Sequence, residues 1–150
     1  MIIRKLLATD QSPMELLLLA DPSESLVKEY LTRGESYVLV DNDDVIGIYV
    51  LLPTRPDTCE LVNVAVAESF QGRGYGKQLI VHAIQVAREQ GYTIIEVGTG
   101  NSSINQIALY QKCGFRMSYI DRNFFIRNYD HPIFENGLLC IDMVRFSLDL

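Results

Sequence analysis

Residues 65–77 read Ala65-Val66-Ala67-Glu68-Ser69-Phe70-Gln71-Gly72-Arg73-Gly74-Tyr75-Gly76-Lys77, and no other stretch constrains the fold as tightly. The segment leaves a Val-dense run, Glu60 to Ala67. It enters a stretch in which Leu79, Ile80, Ala83, Ile84 and Ala87 recur at helical spacing. A strand must therefore pass into a helix through three closely spaced glycines. Glycine lets the backbone turn tightly and lets a bulky group approach it. Successive amide N–H groups at a helix N-terminus, with the helix dipole behind them, bind phosphate oxygens. Arg73 and Lys77 add positive charge beside such an anion. The loop predicts a ligand that carries a pyrophosphate.

Three phosphate-binding loops compete for this pattern, and a plain tight turn is the fourth reading. A nucleotide P-loop requires Gly-Lys followed by Ser or Thr, with four residues between its glycines. Gly76-Lys77 is followed by Gln78 and the glycine spacing is short, so that reading fails. A dinucleotide fingerprint requires Gly-x-Gly-x-x-Gly. The sequence offers Gly-x-Gly-x-Gly, although Glu96 falls about where the acidic residue of that fingerprint is expected. Such folds also usually begin with their glycine loop, whereas this one comes mid-chain. A coenzyme A site remains. The preceding strand, the following helix and the flanking cations weigh against a ligand-free turn.

The rest of the chain fills in around that junction. Ile2 to Leu7 reads as a strand. Ser12-Pro13-Met14-Glu15 has the form of a capping box and opens a helix through Ala20. Asp21-Pro22-Ser23-Glu24 repeats the logic for a second helix that Gly34 ends. Ser36 to Val40 and Val45 to Leu52 flank the polar turn Asp41-Asn42-Asp43-Asp44, a hairpin. Pro53 to Asp57 is a connection, and Glu60 to Ala67 completes three antiparallel strands. After the glycine loop and its helix, which Gly91 closes, Thr93 to Val97 is a β-branched run, so a parallel βαβ unit follows. A helix from Ile104 to Lys112 ends at Gly114. Two strands, Phe115 to Ile126 and Leu138 to Phe146, are separated by a long loop from Asn128 to Gly137. The fold class is α/β with a mixed sheet, in one domain spanning residues 1–150.

Composition narrows the function classes. With 48% apolar and 21% charged residues, the chain reads as globular. No apolar run is long enough to span a bilayer, and the N-terminus lacks the features of a signal peptide. The formal net charge of −6, with no basic stripe, argues against nucleic acid. It suits a cationic acceptor as well as plain solubility. Cys59, Cys113 and Cys140 are odd in number, widely spaced and without a CxxC pair, which argues against disulfides and against a metal site. A cytoplasmic location is the default expectation.

Gln71-Gly72-Arg73-Gly74-Tyr75-Gly76 resembles the Gln/Arg-x-x-Gly-x-Gly/Ala signature of the GNAT superfamily of acyl-CoA-dependent N-acetyltransferases. Leu109-Tyr110-Gln111-Lys112-Cys113-Gly114-Phe115 is similar to that family's Leu-Tyr-x-Lys-x-Gly-Phe segment, and the order of elements matches from end to end. The resemblance implies a mixed sheet, antiparallel in its N-terminal half, with a parallel βαβ core and flanking helices. It implies acetyl-CoA as co-substrate, no metal, and a primary amine as acceptor. The strand before the glycine loop would splay from its parallel neighbour, and Ala65 and Val66 would offer their edge to the pantetheine. Gln71, Gly72, Arg73, Gly74, Tyr75, Gly76 and Lys77 would hold the pyrophosphate. Val66 N–H would polarise the thioester carbonyl. Tyr110 would protonate the departing thiolate. Seven and four positions before Tyr110, where the family often has Asn and Ala, stand Ser103 and Gln106, so Asn101 and Asn105 are candidates for the cofactor contact.

The general base must take a proton from an ammonium of pKa about 10. Glu60, at the start of its strand, is the first candidate, with Glu96 and Glu135 behind it. His82 and His131 read as structural or surface residues. The two N-terminal helices and the Asn128–Gly137 loop would frame the acceptor. No membrane partner is expected, and a homodimer is left open. The alternative function is a non-catalytic module that binds acyl-CoA, which would not need Tyr110.

Overall fold

Asn42 and Asp43 both adopt left-handed backbone angles, φ 48° and 69°. That conformation at both centres of a two-residue hairpin matches the twist of the strands it joins. It sets Asp41 opposite Asp44 and starts the sheet. The computed structural model describes all 150 residues. In chain order the elements are β1 (Ile2–Lys5), α1 (Met14–Ala20), α2 (Glu24–Arg33), β2 (Glu35–Asp41), β3 (Asp44–Arg55), β4 (Thr58–Val66), α3 (Tyr75–Glu89), β5 (Ile94–Gly100), α4 (Ile104–Lys112), β6 (Arg116–Asp121), α5 (Phe124–Asn128), β7 (Phe134–Glu135), β8 (Leu138–Leu139) and β9 (Met143–Asp149).

Seven strands form one sheet in the order β1-β2-β3-β4-β5-β9-β6, and β7 and β8 form a separate hairpin. Of the pairs in the large sheet only β4–β5 is parallel. The α/β class and the mixed sheet follow the expectation. One face carries α3, whose Leu79, Ile80, Ala83 and Ala87 are wholly buried against a core that includes Leu61, Ile95, Val97 and Phe146. Burying a Leu or Ile side chain contributes about 1.5–3 kcal/mol, so this stripe anchors the helix behind the glycine loop. The other face carries α1 and α2 over Val38, Ile48, Val50 and Ala65. No helix is long and apolar enough to cross a membrane.

Several local expectations are corrected. The Ser12 capping box does not form: the cap of α1 is Pro13, whose carbonyl receives Leu16 and Leu17 N–H, and no side chain caps the helix. The cap of α2 is Ser23, not Asp21; Ser23 Oγ accepts from Leu26 N at 3.3 Å, while Asp21 accepts from Ser23 N. The Pro53–Asp57 connection shrinks to a two-residue turn, because β3 runs to Arg55, which pairs with Thr58. The strand expected from Phe115 to Ile126 stops at Asp121, and after Asn123, at φ 63°, the chain enters α5. The expected strand Leu138 to Phe146 is interrupted at residues 140–142. There the N–H groups of Ile141 and Asp142 turn to Asn101 Oδ1, at 2.8 and 3.0 Å, and leave the ladder.

Candidate active site

The glycine loop is built to leave donors free. A short 3-10 turn, Glu68–Phe70, brings the chain off β4. Gln71 Nε2 then donates to the Val66 carbonyl at 2.9 Å and ties the loop to the strand it left. Gly72 and Gly74 sit at φ +77° and +86°, where an added Cβ meets nothing but the backbone strains a residue that carries one. Gly74 is the cap of α3, and its carbonyl receives the first helical bond, from Gln78 N. No backbone N–H from Gly72 to Lys77 donates to a carbonyl of the chain. Six consecutive donors at the positive end of a 15-residue helix thus have no carbonyl partner within the chain. Arg73 lies over the Phe70 ring, 5.3 Å from its centroid, and Phe70 packs on Tyr75. Lys77 is exposed on the first turn of α3. Gly76 is not needed for its backbone angle; a Cβ there would come within 3.8 Å of Leu109 Cδ2, an ordinary contact.

Beside the loop the sheet opens. The β4–β5 ladder runs only from Thr58↔Ile94 to Leu61↔Val97. At that point Val62 is an extra residue in β4, since Leu61 faces Leu51 and Asn63 faces Val50 in β3. A bulge bends and twists its strand, and beyond it β4 keeps β3 but no longer meets β5. Ala65 and Val66 are buried and paired with Ile48 and Gly47, with their other edge unpaired. The unpaired edge of β4 thus runs from the bulge to Val66, and the chain continues from it through the 3-10 turn into the glycine loop.

Tyr110 stands in α4, 3% exposed, between the rings of Phe115 and Phe146. Gln106 Nε2 donates to its hydroxyl at 3.4 Å, so the phenol accepts and its own proton has no acceptor. Burial pushes its pKa up, with the Cys113 side chain adding to the rise. Asn101 uses both polar ends of its side chain within the fold, Oδ1 for Ile141 and Asp142 and Nδ2 for the Leu139 carbonyl. Asn105 is exposed in the first turn of α4.

On the face away from α3, Glu60 is gripped by Arg145 of β9, with contacts of 3.2 and 3.3 Å to its two oxygens. Glu96, beside it in the ladder, pairs with Arg55 at 3.2 Å. Glu135 lies apart and accepts from Ser103 Oγ at 2.7 Å. His82 bonds through Nδ1 to Tyr49 OH at 2.8 Å and burial lowers its pKa, while His131 is exposed beside Asp130. Sequence reasoning missed a polar network near Glu60. Asn63, 3% exposed, donates to Tyr30 OH at 2.8 Å and to the Leu17 carbonyl, and its Oδ1 is left without a partner. Tyr30 and Tyr129 both donate to Asp21, at 3.3 and 2.7 Å, which joins the α1–α2 turn to the segment after α5. An Asn interrupting the Leu61-Val62-Asn63-Val64 run was the available signal.

Comparison with known proteins points to one family. A profile of the acetyltransferase (GNAT) family matches residues 5–115. The chain is 58% identical over 142 residues to the uncharacterized N-acetyltransferase YvbK of Bacillus subtilis (strain 168), covering 95% of this chain and 92% of that protein. Its structure is similar to a GNAT family acetyltransferase from Elizabethkingia anophelis with acetyl-CoA bound, at TM-score 0.98 and 47% identity over 99% of this chain and 97% of the other. It is also similar to a Bacillus subtilis acetyltransferase in complex with CoA, at TM-score 0.94 and 56% identity over 99% and 97% of the two chains.

Proposed function

The chain belongs to the acetyltransferase (GNAT) family, and we propose that it transfers the acetyl group of acetyl-CoA to a primary amine by direct attack in a ternary complex. The observation that carries this reading is the run of six unspent N–H groups, Gly72 to Lys77, that follows the unpaired edge of β4. Donors left free at a helix N-terminus suit a pyrophosphate, with Arg73 and Lys77 as its counter-charges. The opened edge at Ala65 and Val66 suits the amide-bearing arm, and Val66 N–H is the donor for the thioester oxygen. Gln71 shapes the loop by holding the Val66 carbonyl. Asn105 is favoured over Asn101 for a cofactor contact, because the Asn101 side chain is engaged by residues 139–142.

Glu60 is the proposed base, acting on the ammonium directly or through water, and Tyr110 the proposed acid. Glu60 takes one proton from the ammonium, and the freed amine nitrogen attacks the acetyl carbonyl and forms the C–N bond. The C–S bond breaks with the thiolate taking the phenol proton, and the second proton, lost by the new amide nitrogen, restores the phenol. The whole of residues 1–150 is taken as one acetyltransferase domain. Three unpaired thiols support a cytoplasmic location. Self-association as a homodimer belongs to the same reading.

Release of free thiol from acetyl-CoA across a panel of amines tests the function. Amine-dependent release by the wild type is expected. Binding of acetyl-CoA, seen by calorimetry, with no release from any amine would return the chain to a non-catalytic acyl-CoA-binding module.

A further inference from the structure

The last strand of the large sheet, β6, meets β9 on one side and nothing on the other. Every residue from Arg116 to Ile120 is exposed, and Met117, Tyr119 and Ile120 each keep more than half of their surface in solvent. The β9 register fixes which face each residue takes. Met117 lies opposite Phe146 and Ile120 opposite Val144, and both partners belong to the core under α3 or pack against it. Met117 and Ile120 therefore share that face. Arg116, Tyr119 and Asp121 lie opposite Ser147, Arg145 and Met143 and share the other. Ordinary alternation would separate residues three apart. The irregularity between Met117 and Tyr119, which leaves Ser118 unmatched, brings them to one side.

The strand consequently reads the same from both ends: a charge on one face, an apolar residue on the other, a centre, an apolar residue, and the opposite charge. We propose that β6 pairs antiparallel with β6 of a second copy of this chain, about a two-fold axis between Ser118 and Tyr119. Met117 then faces Ile120 of the other copy, twice, on one face. Arg116 faces Asp121 of the other copy, twice, on the other. Arg116 has no ion pair within its own chain. Asp121 accepts from Arg127 at 2.7 Å, and a carboxylate has sites for a second donor. A register shifted by one would set Met117 against Tyr119 and Arg116 against Ile120, residues on opposite faces. Opposite charges and apolar pairs directly across two strands stabilise their pairing. A two-fold contact uses one patch on both partners and doubles every such pair. It also closes an edge that would otherwise invite open-ended pairing.

The inference gives the homodimer reading its surface, and its test is separate from catalysis. Sedimentation equilibrium over a concentration series is expected to show a monomer–dimer equilibrium for the wild type. Arg116→Asp, which sets Asp against Asp, is expected to shift it to monomer with acetyl-CoA affinity and thermal stability unchanged. A Met117→Cys/Ile120→Cys variant is expected to give a reducible dimer on oxidation, which neither single variant nor the wild type gives. Within one chain those positions are about 10 Å apart along the strand, beyond the roughly 7 Å a disulfide spans. A wild type that stays monomeric throughout overturns both the dimer and the surface. A dimer that Arg116→Asp leaves intact and that the paired cysteines do not cross-link overturns the surface alone. A dimer behaving as described but binding no acetyl-CoA overturns the functional reading and leaves this one standing.

Discussion

Arg145 reaches across β5 to hold Glu60 with both terminal nitrogens, at 3.2 and 3.3 Å, although their strands are not neighbours in the sheet. The pair is mostly buried, with 16% and 18% of the two side chains exposed. Its geometry positions the proposed base next to the point where β4 and β5 part. Glu60→Gln keeps the shape and removes the charge. If Glu60 takes the amine proton, kcat/KM for the amine at neutral pH falls about 10²-fold or more, with acetyl-CoA affinity retained. The melting temperature drops too, because Arg145 loses a charged acceptor, a loss of about 1–3 kcal/mol. A lower melting temperature with unchanged kcat/KM would make Glu60 an ion-pair partner only.

Gly98 makes that reach possible. It lies opposite Arg145 in the β5–β9 ladder, and a Cβ on it would stand 2.8 Å from Arg145 Nη1 and 2.7 Å from Met143 Sδ. Gly98→Ala should push the guanidinium away from Glu60, because the flexible ends of Arg145 and Met143 are the atoms that must yield to the new Cβ. Arg145→Gln removes the same contact from the other side. In a double-mutant cycle scored by kcat/KM for the amine, the two changes are expected to be far from additive. Additive losses would show that Gly98 acts by another route.

The glycines of the loop are predicted to differ in tolerance. Gly74→Asp forces a side chain onto φ +86° and points a negative charge at the free N–H groups, so acetyl-CoA binding measured by calorimetry is expected to vanish. Gly76→Ala keeps an allowed backbone and gains only an ordinary contact with Leu109, so binding is expected to persist. Equal affinities for wild type and Gly74→Asp would move the pyrophosphate elsewhere.

Part of this site was legible in the sequence because its cause is local. The strand-loop-helix junction, the apolar stripe of α3 and the place of Tyr110 on α4 each follow from spacing within a few turns. What escaped was set by pairings far apart in the chain. The Val62 bulge exists only relative to β3, and Glu60–Arg145 joins residues 85 apart through a gap left by Gly98. The starts of α1 and α2 failed for another reason, although Gly34 closes α2 as expected. Asp21 and Ser23 both satisfy the rules for a cap; in the fold Ser23 takes that place, while the Asp21 carboxylate accepts from Ser23 N, Tyr30 and Tyr129. The missed α5 followed from a left-handed Asn123 that β-rich composition on either side concealed.

Cys113 is predicted to be a bystander. It caps the C-terminal end of α4, where the helix dipole opposes a thiolate, and burial raises its pKa, with Lys77 only partly offsetting the rise. Cys113→Ala should keep most of the turnover. An acetyl group trapped on Cys113, seen by intact mass during turnover, would replace direct attack with a two-step transfer.

The proton for the thiolate is predicted to come from Tyr110. Its hydroxyl accepts from Gln106 and has no acceptor for its own hydrogen, so the proton is available. Burial raises its pKa above the ordinary value of about 10, so the phenol stays neutral throughout the physiological range. Any fall of kcat on the alkaline side below that value must then have another source. The raised pKa also makes the phenol a weaker acid. The thiolate is already a fair leaving group, which keeps the contribution at or below the usual 10²–10⁴-fold, or about 3–5 kcal/mol in the barrier. Tyr110→Phe retains the ring between Phe115 and Phe146 and leaves Gln106 Nε2 without its acceptor. Lower kcat with acetyl-CoA affinity unchanged is the expected result, with stability reduced by no more than one hydrogen bond, about 1 kcal/mol. Gln106→Leu serves as the control for that lost bond, since it removes the donor and spares the phenol. If both variants lose the same kcat, the loss comes from packing around α4, and the thiolate takes its proton from water.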